Sequence, residues 1–152
     1  MANNYLQTSV SIEKLTPQET AWFKGVLNFV PEDVDDAEKS LLELLGLDSI
    51  RSSMLDVFPD FQCSWLPTGN LVLYGEVFVD LEHMADVLQA FLRKFRPGSA
   101  IPVTYAETCD SYRPDEFSGG MLFVTAEDVK WWNASSEAEK CVASFSAESG
   151  DE

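Results

Sequence analysis

Any acid–base or nucleophilic site in this chain must be built from few residues. There is one histidine, His83, and three well-separated cysteines, Cys63, Cys109 and Cys141. Nucleophilic catalysis needs a nucleophile, a base and a group that orients the base. His83 stands in the first turn of an apolar helical pattern, directly before Met84, where a surface or half-buried helix residue is the simpler reading. Cys109 opens Cys109-Asp110-Ser111-Tyr112-Arg113, which brings its arginine too close for a Cys-x5-Arg phosphatase loop. Neither a Gly-x-Ser-x-Gly elbow nor a glycine-rich phosphate loop occurs. The expectation is a protein without catalytic machinery, a carboxylate-based hydrolase being the remaining enzymatic alternative.

Metal chemistry has one candidate segment, Glu32-Asp33-Val34-Asp35-Asp36-Ala37-Glu38. Asp33 and Asp35 imitate the first and third ligands of a calcium loop. The fifth position is Ala37, the sixth is Glu38 where glycine is needed, and the twelfth is Leu44 where a bidentate glutamate belongs. Paired Cys/His spacings for zinc are also missing. No metal or cofactor is expected. Three cysteines make no disulfide framework and read as buried, reduced thiols.

Charge is the strongest compositional feature: 26 acids oppose 10 Lys and Arg in 152 residues, a formal net charge of −16. Such a field repels nucleic acid and anionic membranes and attracts basic partners. Residues 1–60 hold 11 acids and 4 bases, and residues 101–152 hold 11 and 3, whereas the middle holds 4 and 3. An acidic surface must therefore come from the two ends of the chain. No stretch is apolar enough to span a bilayer and no secretory pattern opens the sequence, so a cytoplasmic location is expected.

The elements that would position these groups follow from pattern. Tyr5–Ile12 alternates as a strand. Thr16-Pro17-Gln18-Glu19 is a capping box with proline at the first helical position. It opens a helix carrying Trp22, Phe23, Val26, Leu27 and Val30, which Pro31 ends. The acidic segment leads into Leu41, Leu42, Leu44 and Leu45, with Gly46 as the stop. A further short helix is expected around Ile50–Val57. Phe61, Cys63 and Trp65, the turn at Pro67–Asn70 and an apolar strand Leu71–Val79 form a hairpin. Asp80 caps a helix whose Leu81, Met84, Leu88, Phe91, Leu92 and Phe95 share one face. Pro97-Gly98 terminates it. Ile101–Cys109 is a strand with Pro102 at its start or on an edge. Gly119-Gly120, marking a bulge or close backbone approach, opens Met121–Thr125, which turns at Ala126-Glu127-Asp128 into Val129–Trp132. Of Trp131 and Trp132, one ring is expected buried and one exposed.

This order predicts an α+β fold: a ferredoxin-like antiparallel sheet with helices on one face, a helical insert after the first helix and an extra C-terminal hairpin. One acidic domain is expected over 1–133, with a polar, acidic tail over 134–152.

Three segments carry a resemblance: Leu88-Gln89-Ala90-Phe91-Leu92-Arg93-Lys94-Phe95-Arg96-Pro97, Tyr105-Ala106-Glu107-Thr108-Cys109, and Glu116-Phe117-Ser118-Gly119-Gly120 before Phe123-Val124-Thr125-Ala126. Through them, residues from about Leu71 to Asn133 resemble a family of small uncharacterised bacterial and phage- or plasmid-type proteins. The resemblance implies a mobile-element context, assigns no activity and transfers no catalytic residue.

The functional expectation is a non-enzymatic, protein-binding domain that inhibits a nucleic-acid-binding host defence protein, as an anti-CRISPR or anti-restriction protein imitating DNA charge does. Its partner would be a basic protein or nucleic-acid-binding complex, not nucleic acid itself and not a membrane. The contact residues would be Glu32, Asp33, Asp35, Asp36 and Glu38, with Asp110, Asp115, Glu116, Glu127 and Asp128 on later loops. The alternative is an acidic accessory or assembly domain that binds through an apolar sheet face or edge. Since the calcium pattern fails, EDTA should leave the melting temperature unchanged; a drop of several degrees would restore residues 32–38 as a metal site.

Overall fold

A computed structural model describes residues 4–30, 36–51, 55, 58–111 and 117–150. Among these residues six strands, β1 (Asn4–Ile12), β2 (Gln62–Trp65), β3 (Leu71–Gly75), β4 (Ala100–Cys109), β5 (Ser118–Thr125) and β6 (Val129–Asn133), form one antiparallel sheet in the order β2-β3-β1-β4-β5-β6. Four helices among the described residues accompany it: α1 (Pro17–Leu27), α2 (Ala37–Leu45), α3 (Leu81–Phe95) and α4 (Ala134–Gly150).

The helix starts obey their local chemistry. Thr16 Oγ1 accepts from the Glu19 amide at 3.1 Å, and Glu19 Oε1 accepts from the Thr16 amide at 2.9 Å, closing the capping box. Asp80 Oδ1 accepts from the His83 amide at 3.0 Å and starts α3. Gly46 ends α2 at φ 71°, a left-handed conformation in which a side chain would be strained. α1 ends at Leu27, earlier than Pro31 requires, because the Asn28 side chain and backbone both donate to the Lys24 carbonyl and close the last turn. Val30 is left outside the helix and exposed.

Inward-facing residues of the sheet (Val10, Ile12, Leu71, Leu73, Val103, Leu122, Val124) share one core with Phe23 and Val26 of α1 and Leu41 and Leu45 of α2. α3 lies in the middle of it. Every residue from His83 to Leu92 is buried, so the helix buries its whole circumference there and not just the expected stripe. Phe91 meets Phe23 with ring centroids 4.8 Å apart, and Trp22 meets Phe95 at 5.9 Å.

Other expectations are corrected by the tertiary structure. The strand expected over Leu71–Val79 stops at Gly75, where a Cβ would fall 2.7 Å from the Phe78 carbonyl oxygen; the chain folds back there, and Val77 turns its carbonyl to the Leu6 amide. Residues 47–51 contain no helix, and most of the expected helix around Ile50–Val57 lies outside the described residues. Cys63 and Cys141 are exposed, and only Cys109 is buried. Pro102 sits within a central strand, yet β1 pairs with β4 only over Asn4–Thr8 and crosses to β3 over Thr8–Ile12. Pro102 thus lies in the part of β4 that pairs with β5 alone, where a missing amide is tolerated.

Leu88 is fully buried at the centre of α3. Leu88→Ala should cost about 2–5 kcal/mol, measured by urea unfolding; a loss below about 1 kcal/mol would show that the contact is not a core contact.

Candidate functional site

Three polar residues of α3, His83, Asp86 and Gln89, are buried, and each is tied to another segment. His83 is almost inaccessible, not the surface or half-buried residue its position suggested, because the chain from Phe58 covers it. Its Nδ1 accepts from the Asp60 amide at 3.1 Å, its Nε2 lies 3.4 Å from Asp80 Oδ2, and its ring meets Phe58 at a tilt, with centroids 4.7 Å apart. One turn later, Asp86 accepts from the Arg51 amide at 2.9 Å and from its guanidinium at 2.6 Å. Gln89 donates to the Thr125 carbonyl. At the helix end, Arg96 binds both oxygens of Glu19 and donates to the carbonyls of Glu13 and Lys14.

These groups act as fasteners. Burial pushes the Asp86 carboxyl above its ordinary 3.8, the Arg51 hydrogen bonds and charge opposing this only in part. Burial also raises Glu19, but the Arg96 hydrogen bond, the Thr16 bonds and the Arg96 charge together hold it below its ordinary 4.5. His83, Asp80 and Asp60 form the only knot around a histidine, and its amide contacts hold the 58–61 segment against α3. Among the described residues no group of three or more His, Cys, Asp or Glu is arranged to hold a metal ion.

Of the ten acids singled out in the sequence, Glu32, Asp33, Asp35, Asp115 and Glu116 lie outside the described residues. The other five, Asp36, Glu38, Asp110, Glu127 and Asp128, are all exposed. Asp36 and Glu38 stand at the start of α2. Glu127 and Asp128 form the β5–β6 turn, whose backbone is closed by Thr125. Since Ala100 pairs with Thr125, that turn lies at the Ala100 end of β4. Asp110 follows the opposite end, ten residues along, which is roughly 30 Å away. Asp110 therefore belongs to a different end of the molecule from Glu127 and Asp128. Glu127 also borders a cleft of about 280 Å³ shared with Asp48, Arg51, Gln89 and Arg93, where charges of both signs meet.

The sheet supplies a feature that a search for chemical motifs passed over. Paired residues share a face, and the registers put Gln7, Ser9, Tyr74, Thr104, Phe123 and Trp132 on the face opposite the helices. No strand residue on that face is buried. Among the strand residues on this face Lys130 is the one charged residue, and there is no acid. The signal was legible: the alternate positions of Tyr5–Ser11 and Pro102–Thr108 are all uncharged. Both Trp131 and Trp132 are 48% exposed, against the expectation that one is buried, because they lie on the edge strand β6.

No family model, no curated protein and no solved structure matches this chain. Among the described residues no helix is long and apolar enough to cross a membrane.

The lowered Glu19 has a stated pH consequence. A carboxyl with a depressed folded value stabilises above its unfolded value, and that contribution is lost as pH falls through the folded value. Wild type should be more stable than Glu19→Gln at pH 7, with the gap narrowing below about pH 4.5, as read from urea midpoints of both proteins. Asp86, raised by burial, is present in both proteins and cancels from the gap, so a gap that widened in acid would contradict the assignment to Glu19.

Proposed function

We propose that this chain is a non-enzymatic, acidic protein-binding domain of mobile-element type. Its acids hold a basic, nucleic-acid-handling partner, the concrete case being a DNA-charge mimic that inhibits a host defence protein in the cytoplasm. The observation that supports this reading is the partition of charge: a chain of net charge −16 keeps its acids off one whole sheet face. Its described candidate acids stand exposed at helix starts and strand ends. Exposed single ion pairs contribute about 0–1 kcal/mol each, so affinity would come from many acids acting together, with fast, salt-sensitive association.

For the fold we favour the ferredoxin-like reading. The order β2-β3-β1-β4, with helices between β1 and β2 and between β3 and β4, fits a split βαβ core. In that reading α2 is the helical insert and β5–β6 the added hairpin.

A second reading, an accessory or assembly domain that binds through its sheet, is favoured by the sheet face whose strand residues include no acid. The two are separated by reversing Asp36, Glu38, Glu127 and Asp128 to lysine. The β5–β6 turn is held by the backbone and Thr125, so the fold should persist. Capture of a basic partner from host lysate should weaken about tenfold or more, ~1.4 kcal/mol, and should compete with duplex DNA. A partner that binds this protein and DNA simultaneously, each with unchanged affinity, would remove the mimic reading.

A further inference from the structure

We propose that this sheet face, whose strand residues include no acid, is an isologous interface for a second copy of this chain. This goes beyond the acidic-surface reading and does not depend on it. Three observations on the face point to the same occupant.

The first is charge. Two chains of net −16 repel wherever their acids meet. The open face, with Lys130 as its one charged strand residue, is a surface on which two copies can approach without opposing carboxylates. A basic partner is drawn instead to the rim, where the acids stand.

The second is self-complementarity. A two-fold interface presents the same patch from both sides, so each group must suit its own kind. Hydroxyls both donate and accept hydrogen bonds, which Ser9 and Thr104 satisfy. Tyr74, Phe123 and Trp132 add rings of the types enriched in interfaces.

The third is area. Six strands of 4 to 10 residues, spaced about 4.8 Å apart with a rise of roughly 3.3 Å per residue, present on the order of 600 Å² in projection. Side-chain relief adds to that, bringing the face near the ~800 Å² per partner of a standard specific interface.

The charge argument sets the sign of the test. Repulsion between acidic rims opposes this dimer, and salt screens it over a Debye length that falls from about 30 Å at 0.01 M to about 3 Å at 1 M. Sedimentation equilibrium of the full chain should show a monomer–dimer equilibrium whose dissociation constant falls severalfold from about 0.02 M to about 0.5 M NaCl. Capture of a basic partner has the opposite salt dependence, so the two proposals fail separately. Ser9→Glu with Thr104→Glu places like charges on the central strands, at exposed positions whose side chains leave the core intact. This variant should be monomeric at both salt concentrations with an unchanged far-UV spectrum and melting temperature at low concentration. Trp132→Glu, on the edge strand, supplies an independent variant with the same expected loss. A monomer at every concentration in high salt would overturn the proposal. So would a dimer that survives Ser9→Glu with Thr104→Glu unchanged, since it would pair through a strand edge or another face.

Discussion

Helix α3 is buried around its whole circumference from His83 to Leu92, and a 15-residue helix with polar residues at three of those positions cannot be buried without partners for each. A buried polar group left unpaired costs roughly 1–3 kcal/mol. The fold answers position by position: Asp60 for His83, Arg51 for Asp86, Thr125 for Gln89. Arg51 and Asp60, which lie between α2 and β2, and the end of β5 at Thr125 are thereby fastened to one rod. Arg96 extends the same logic past the helix end, joining the last turn of α3 to the capping box of α1.

With the polar residues of α3 engaged in structure, the outer surface is divided in two. Helices and connecting loops carry exposed acids, while the opposite sheet face is neutral and rich in hydroxyls and rings. The glycines that open β5 serve the close pairing of β5 with β4. A Cβ on Gly120 would lie 2.6 Å from Tyr105 Oη, and one on Gly119 would lie 2.8 Å from the Tyr105 carbonyl. Their lack of side chains lets β5 close against β4 while Tyr105 Oη accepts from Asn133 at 3.2 Å, which links β4 to β6.

α4 stands apart from this economy. It follows β6 without a break and bonds back through Ser135 to Ser118, yet Val142 and Phe145 remain 65% and 71% exposed. Its composition, mostly Ala, Ser and Glu, suits a helix that draws little from the core.

Much of this was legible from residue order alone. The capping box at Thr16, the Asp80 cap, the Gly46 stop, the β2–β3 hairpin and the strands on either side of Gly119-Gly120 depend on contacts a few residues apart, and local sequence encodes these directly. The same holds for the neutral alternation of β1 and β4, which is a period-two pattern in plain view. What only the tertiary structure decided depends on residues distant in the chain. Gly75 ends its strand because Phe78 folds onto it, His83 is buried because Phe58 and Asp60 reach it, and β1 divides its pairing between β3 and β4. The separation of Asp110 from Glu127 and Asp128 belongs here too. Acids near one another in sequence are set at opposite ends of the sheet by an antiparallel register, which spacing along a single strand does not reveal.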